Sequence, residues 1–152
     1  IESPIKEQEG LGLLDTETTF NEEKTTTQAV AKRNNYILKG YEIHMGTTKL
    51  GPNATPFSTI KETNGQSENR EDGAINNDGT VIGTYLHGIF DNPYWTRHLL
   101  NRIRAAKGMA PLVDTTVSIS NYKDQQYEKL AQLFAQNVDM EKFDQILQDS
   151  TK

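Results

Sequence analysis

The sequence has no cysteine among its 152 residues. That removes disulfides, thiolate metal sites and thiol nucleophiles from this stretch of chain. No apolar run approaches the roughly 20 residues needed to cross a bilayer. An excess of positive charge is missing too: 16 basic residues stand against 21 acidic ones, a formal net charge of −5. A dedicated nucleic-acid binder needs a concentrated basic surface for its phosphate contacts, so this balance argues against that class. The opening residues Ile1-Glu2-Ser3-Pro4 carry neither the basic nor the apolar segment of a secretory leader. The expectation is a cytoplasmic protein with no nucleic-acid and no membrane partner.

Apolar residues are scarce as well. The hydrophobic fraction is 34%, the charged fraction 24%, and the mean hydropathy −0.71. Globular domains usually hold about 45–50% apolar residues, glycine included. A chain of this length can bury roughly 68–70% of its unfolded surface, so a core is within reach. The shortfall points to solvated loops, or to a segment whose core is completed by chain outside it.

Strand character comes first. Residues 16–20 are rich in β-branched types, and Thr25-Thr26-Thr27-Gln28-Ala29-Val30 continues that character. An extended stretch over 36–45 puts Tyr41, Ile43 and Met45 on one face and Glu42 and His44 on the other, because side chains alternate along a strand. The polar run 62–71 has no apolar anchor and reads as a mobile surface loop. Asp72-Gly73 and Asn77-Asp78-Gly79 are turn signals around a short Ala74-Ile75 extension. Residues 80–86 then read as a buried strand that ends at His87-Gly88.

Helical patterns follow. Asp91 or Asn92 can cap a helix with Pro93 in its first turn. Trp95, Leu99 and Ile103, widened by Leu100, make its apolar stripe, and Gly108 can end it. Tyr127, Leu130, Leu133 and Phe134 mark another helix, and Asp139 can cap a last one carrying Phe143, Ile146 and Leu147. With strands first and helices later, the piece alone reads as α+β.

Three histidines bound the chemistry. His98, between Arg97 and Leu99, belongs to the solvated flank of its helix. His44 shares a strand face with Glu42, which suits a structural hydrogen bond more than an oriented base. His87 differs: it ends an apolar strand, precedes glycine and stands just before a capped helix. Catalytic side chains concentrate at such strand ends, and an imidazole with a pKa near 6.5 suits general-base work. No Gly-x-Ser-x-Gly elbow, metal-spaced histidine pair or phosphate-binding Gly-x-x-x-x-Gly-Lys-Ser/Thr loop accompanies it. From the residues alone, His87 is a base without a partner.

Three strings in order alter that reading: Glu9-Gly10-Leu11-Gly12-Leu13-Leu14, Gly40-Tyr41-Glu42-Ile43-His44-Met45-Gly46, and Gly83-Thr84-Tyr85-Leu86-His87-Gly88-Ile89-Phe90. Together with Lys24-Thr25 and Asp72-Gly73-Ala74, they resemble the cobalamin-pathway branch of the class I glutamine amidotransferases over essentially the whole chain. The resemblance implies an α/β domain with a flavodoxin-like sheet flanked by helices. Residues 1–108 would be the C-terminal half of that domain and 109–152 its helical extension.

It also implies an ATP-dependent ligase. A cysteine thiolate attacks the side-chain amide of glutamine and releases ammonia, and the histidine matching His87 activates the thiol. Ammonia then serves a separate domain that uses ATP and magnesium to amidate carboxylates of a corrinoid, adenosylcobyrinic acid a,c-diamide. This segment itself would bind no cofactor and no metal. The family's cysteine lies upstream of Ile1, so the segment alone would be inactive, a remnant or separate segment of a longer chain, prone to self-association. Many class I amidotransferases carry a glutamate two residues after the histidine. Ile89 stands there, as in the cobalamin branch, which implies a dyad and leaves open whether Glu42 or another carboxylate orients His87. Other members of the branch, acting at the a,c positions or on peptidoglycan, and a non-catalytic binding module that kept the fold, are the alternatives.

Overall fold

Threonine-rich, alternating sequence in the first third of the chain forms a long antiparallel ladder. In the computed structural model, which describes residues 5–113 and 119–150, β1 (Thr16–Arg33) pairs with β2 (Tyr36–Leu50) from Thr16↔Leu50 to Arg33↔Tyr36. A register shift between Phe20 and Thr25 interrupts the ladder. Asn34 closes the turn with φ 51, a left-handed conformation that asparagine tolerates better than most side chains. The strands β3 (Ala54–Thr55), β4 (Ser58–Thr63), β5 (Gln66–Asp72), β6 (Ala74–Asn76), β7 (Ile82–Gly83) and β8 (Leu86–His87) follow. They assemble into a five-stranded sheet of order β5-β4-β1-β2-β8 and a three-stranded sheet of order β3-β6-β7. Every pairing among the described residues is antiparallel.

After a short 3-10 turn, Ile89–Asp91, come the helices α1 (Pro93–Ala106), α2 (Ile119–Asn137) and α3 (Met140–Ser150). Strands therefore precede helices, the α+β order that the sequence suggests. The chain divides into two compact units, Ile1–Asp114 and Thr115–Lys152.

The polar run 62–71 is not a loop. It is the β4–β5 hairpin, closed by Asn64 at φ 48 and Gly65 at φ 81. Positive φ at both turn residues matches the right-handed twist of the flanking strands, which is why Asn-Gly favours two-residue hairpins. Polar cross-strand partners replace the missing apolar face: Lys61 donates to Asn69, and Thr63 to Glu68. Asn64 also locks the hairpin to β1, its amide N–H donating to Gln28 and its side-chain oxygen accepting from Gln28.

The first unit's core lies on one face of the larger sheet. Ala29, Ala31, Leu38, Phe57, Ile60 and Leu86 pack there with Trp95 of α1. Trp95 meets Phe57 and Tyr36 edge-on at 5.6 and 5.8 Å, and the Arg33 guanidinium lies 4.7 Å from the Phe57 ring centre. Burial and nearby Arg102 lower the pKa of Arg33. Helix α1 begins with Pro93 in its first turn, as the sequence indicates. It ends at Gly108 in a Schellman arrangement, in which Gly108 N–H bonds Ala105 and Met109 N–H bonds Arg104. The expected stripe is covered only in part, since Ile103 and Leu100 remain exposed. His98 is half-buried rather than solvated, with its ring 4.9 Å from that of Tyr36.

In the second unit, Asp139 caps α3 through Lys142 N–H at 3.1 Å, and Phe134 meets Phe143 edge-on at 5.3 Å. Tyr127, Leu130, Leu133, Ile146 and Leu147 are exposed.

Candidate active site

Residues 80–86 do not form one buried strand. They divide between two sheets: β7 pairs with β6, and β8 pairs with β2. Thr84 and Tyr85 bridge the gap outside any ladder, and Asp72, at the end of β5, takes the place of a strand partner. Its Oδ1 accepts the Tyr85 N–H at 3.1 Å, and its Oδ2 accepts the Thr84 hydroxyl.

His87 ends β8 at the margin of the larger sheet, opposite Tyr41. Directly opposed residues in an antiparallel pair project to the same face. The two rings stack there, with centroids 5.0 Å apart and planes 6° from parallel. His87 is exposed, and Tyr41 and Ile43 on the same face are 42% and 41% exposed. The backbone passes very close to β2 at this point, so that a Cβ on Gly40 would fall 2.0 Å from the His87 carbonyl oxygen. Gly88, at φ 78, turns the chain away. Asn92 then acts as a side-chain strand partner: its Oδ1 accepts the Lys39 N–H at 2.8 Å, and its Nδ2 donates to the Lys39 carbonyl at 3.0 Å. It occupies the N-cap position of α1 but spends its side chain on β2 instead of the helix. Beside this turn, Gly40, Tyr41, Gly88 and Asp91 line a groove of about 360 Å³.

Glu42 faces the other way. It opposes Leu86 on the core side, where it is 0% exposed. The pleat puts the sheet between Glu42 and the His87 ring, so Glu42 does not orient that histidine. Its Oε2 instead accepts from Arg70 at 2.7 Å and from Thr27 at 3.5 Å. His44 shares this face as expected, with Nε2 4.0 Å from Glu42 Oε1. Its Nδ1 lies 2.9 Å from the Gly46 carbonyl, and its ring stacks on Tyr85 at 4.1 Å. Tyr85 is held in turn by Thr48, hydroxyl to hydroxyl at 2.7 Å. Burial opposes the charge on Arg70, but hydrogen bonds and attraction to Glu42 and Glu68 prevail and raise its pKa. The Thr63 hydrogen bond, helped by Arg70 and opposed by burial, lowers that of Glu68.

The three histidines are therefore not brought together. His98 packs against the aromatic core, His44 belongs to a half-buried polar cluster around Glu42, and His87 to an exposed face beside a groove. Among the described residues, no group of three or more His, Asp or Glu side chains is placed to hold a metal ion. No helix among them is long and apolar enough to cross a membrane.

Residues 1–95 match the model of the CobB/CobQ-like glutamine amidotransferase domain. The chain belongs to this family. Among similar proteins, the cobyric acid synthase of Limosilactobacillus reuteri (strain DSM 20016) is 90% identical over 152 residues, covering 100% of this chain and 30% of that protein. The cobyric acid synthase of Streptococcus sanguinis (strain SK36) is 50% identical over the same 100% of the chain and 30% of its own length. That of Thermoanaerobacter sp. (strain X514) is 41% identical over 97% of the chain and 31% of its own length. The chain thus spans about 30% of the length of these curated relatives.

Proposed function

We propose that this chain is the histidine-bearing part of a cytoplasmic, glutamine-dependent amidotransferase of cobalamin biosynthesis, with His87 as the general base of a Cys–His pair. The observation that carries this reading is the position of His87: at a strand end, exposed beside a groove, on a sheet face whose apolar residues Tyr41 and Ile43 are uncovered. A nucleophile on chain outside this segment would approach that face. Residues 1–108 and the helical extension 109–152 would then complete a single domain with it.

In this reading the imidazole takes the thiol proton, and the thiolate adds to the glutamine side-chain carbonyl. The resulting tetrahedral intermediate collapses to a thioester as ammonia leaves with a proton from the imidazolium. Water, activated by the same imidazole, then releases glutamate. Ammonia would pass to a synthetase domain outside this chain, where ATP and magnesium are bound and carboxylates of adenosylcobyrinic acid a,c-diamide are amidated. The similarity to cobyric acid synthases supports this substrate. Alone, the segment would be inactive and would self-associate through its uncovered face.

The test is to incubate the full-length protein with glutamine, ATP, magnesium and the a,c-diamide. Successive gains of amide nitrogen by the corrinoid are expected, and they should disappear for the 152-residue segment alone. Glutamine turnover with a corrinoid left unchanged would overturn the substrate assignment.

A further inference from the structure

The path of the chain into His87 is set by a carboxylate that the proposed reaction does not use. Asp72 is buried, 3% exposed. Three donors converge on it: the Ser58 hydroxyl at 3.2 Å, the Thr84 hydroxyl, and the Tyr85 N–H at 3.1 Å. Thr84 Oγ1 passes the connection on by accepting the Leu86 N–H at 3.0 Å. One side chain thus directs two consecutive main-chain N–H groups, one directly and one through a hydroxyl, immediately before His87. It does so where no ladder holds the backbone, between the last β7 pair, Ala74↔Gly83, and the first β8 pair, Glu42↔Leu86.

The next residue tightens the same junction. A Cβ at Gly73 would fall 2.2 Å from the Gly83 carbonyl oxygen, so the two segments lie in direct backbone contact. An ionised carboxylate only accepts, which suits three converging donors. An amide would turn an NH₂ group toward the Tyr85 N–H or toward a threonine oxygen already engaged with Leu86. Burying a carboxylate is costly unless its hydrogen bonds are made, so its presence here needs a return in structure or function.

We infer that Asp72, acting through Thr84, is a positioning residue that sets the reach of the His87 imidazole toward the nucleophile. The inference rests on the proposed role of His87. A base displaced by about 1 Å loses on the order of 100-fold in rate, while ground-state binding of substrate need not change.

The test compares glutamine hydrolysis by the full-length protein and its variants Asp72→Asn, Thr84→Val, Thr84→Ser and His87→Ala. Thr84→Val is expected to lower kcat at least about tenfold with KM within about twofold and a melting temperature within a few degrees of the parent, and Asp72→Asn to do so at least as strongly. Thr84→Ser, which restores the hydroxyl, should recover most of kcat. Should Asp72→Asn fail to fold, the Thr84 pair decides alone. Loss of activity in His87→Ala with kcat unchanged in Thr84→Val would overturn the positioning role and leave His87 as the base. Equal losses in Thr84→Val and Thr84→Ser would also overturn it, because the hydroxyl would then be irrelevant. An undiminished rate in His87→Ala would overturn both readings together.

Discussion

The imidazole of His87 lies flat against the ring of Tyr41, 5.0 Å between centroids, because β8 and β2 place the two residues directly opposite each other. Stacking of this kind contributes about 0.5–1.5 kcal/mol beyond area burial. It limits rotation of an exposed imidazole, and in its proposed role that imidazole would meet a thiol in one orientation. Tyr41→Phe keeps the ring and should leave kcat for glutamine hydrolysis within about twofold, whereas Tyr41→Ala should lower it up to about tenfold. Steady-state kinetics of the two variants in the full-length protein check this, and equal effects would show that stacking does not matter.

Gly40→Ala should be far more damaging than its size suggests. The added methyl would stand 2.0 Å from the His87 carbonyl oxygen and 3.0 Å from the Leu86 side chain. The obstacle at the shorter distance is backbone, which cannot rotate away, so β8 must separate from β2. A stability loss of about 1–3 kcal/mol or more is expected, together with loss of glutaminase activity. Melting temperature and turnover of the variant measure both effects.

The Glu42–Arg70 pair joins the buried side of β2 to the β4–β5 hairpin at 2.7 Å. Arg70→Met would leave a fully buried carboxylate without its cation, and such losses cost about 3–5 kcal/mol. Because Arg70 is itself partly exposed, the lower end is expected. The double variant Glu42→Gln with Arg70→Met should be more stable than Arg70→Met alone. A double-mutant cycle by thermal denaturation tests this, and additive losses would contradict it.

Acid should loosen the same hairpin. The Thr63 hydrogen bond first, and Arg70 after it, hold the Glu68 pKa below its ordinary value. A carboxyl whose folded pKa is depressed adds stability above its unfolded pKa and loses it as the pH falls through the folded one. Thr63→Val removes the largest cause, so its melting temperature should fall less steeply than that of the parent between pH 6 and 3, a window bracketing the ordinary glutamate pKa of about 4.3. Parallel curves would contradict the assignment.

Local signals disclosed much of this architecture. Pro93 and Gly108 bracket α1, Asp139 caps α3, and the end of β8 presents His87 where the sequence suggests. What stayed hidden depends on partners distant in the chain. The 62–71 run looked unstructured because its strands carry polar pairs instead of an apolar face, although Asn64-Gly65 is a strong hairpin signal. Residues 80–86 read as one strand because β-branched and aromatic residues run through them without a charge, while Asp72, 12 residues before Thr84, holds the break between β7 and β8. The alternation in β2 separates its two faces without telling which is buried; it is that of Leu38 and Glu42, where Arg70, 28 residues from Glu42, pairs with the carboxylate. The Tyr41–His87 stack required the β2–β8 register, which no local pattern contains.

In the proposed function His87 is the base of a glutaminase site. The most direct measurement is the rate of ammonia release from glutamine by the full-length protein carrying His87→Ala, beside the parent at the same pH. General-base catalysis of this kind contributes about 10²–10⁴-fold, and a loss in that range with the fold intact is the predicted result. A rate within twofold of the parent would contradict it.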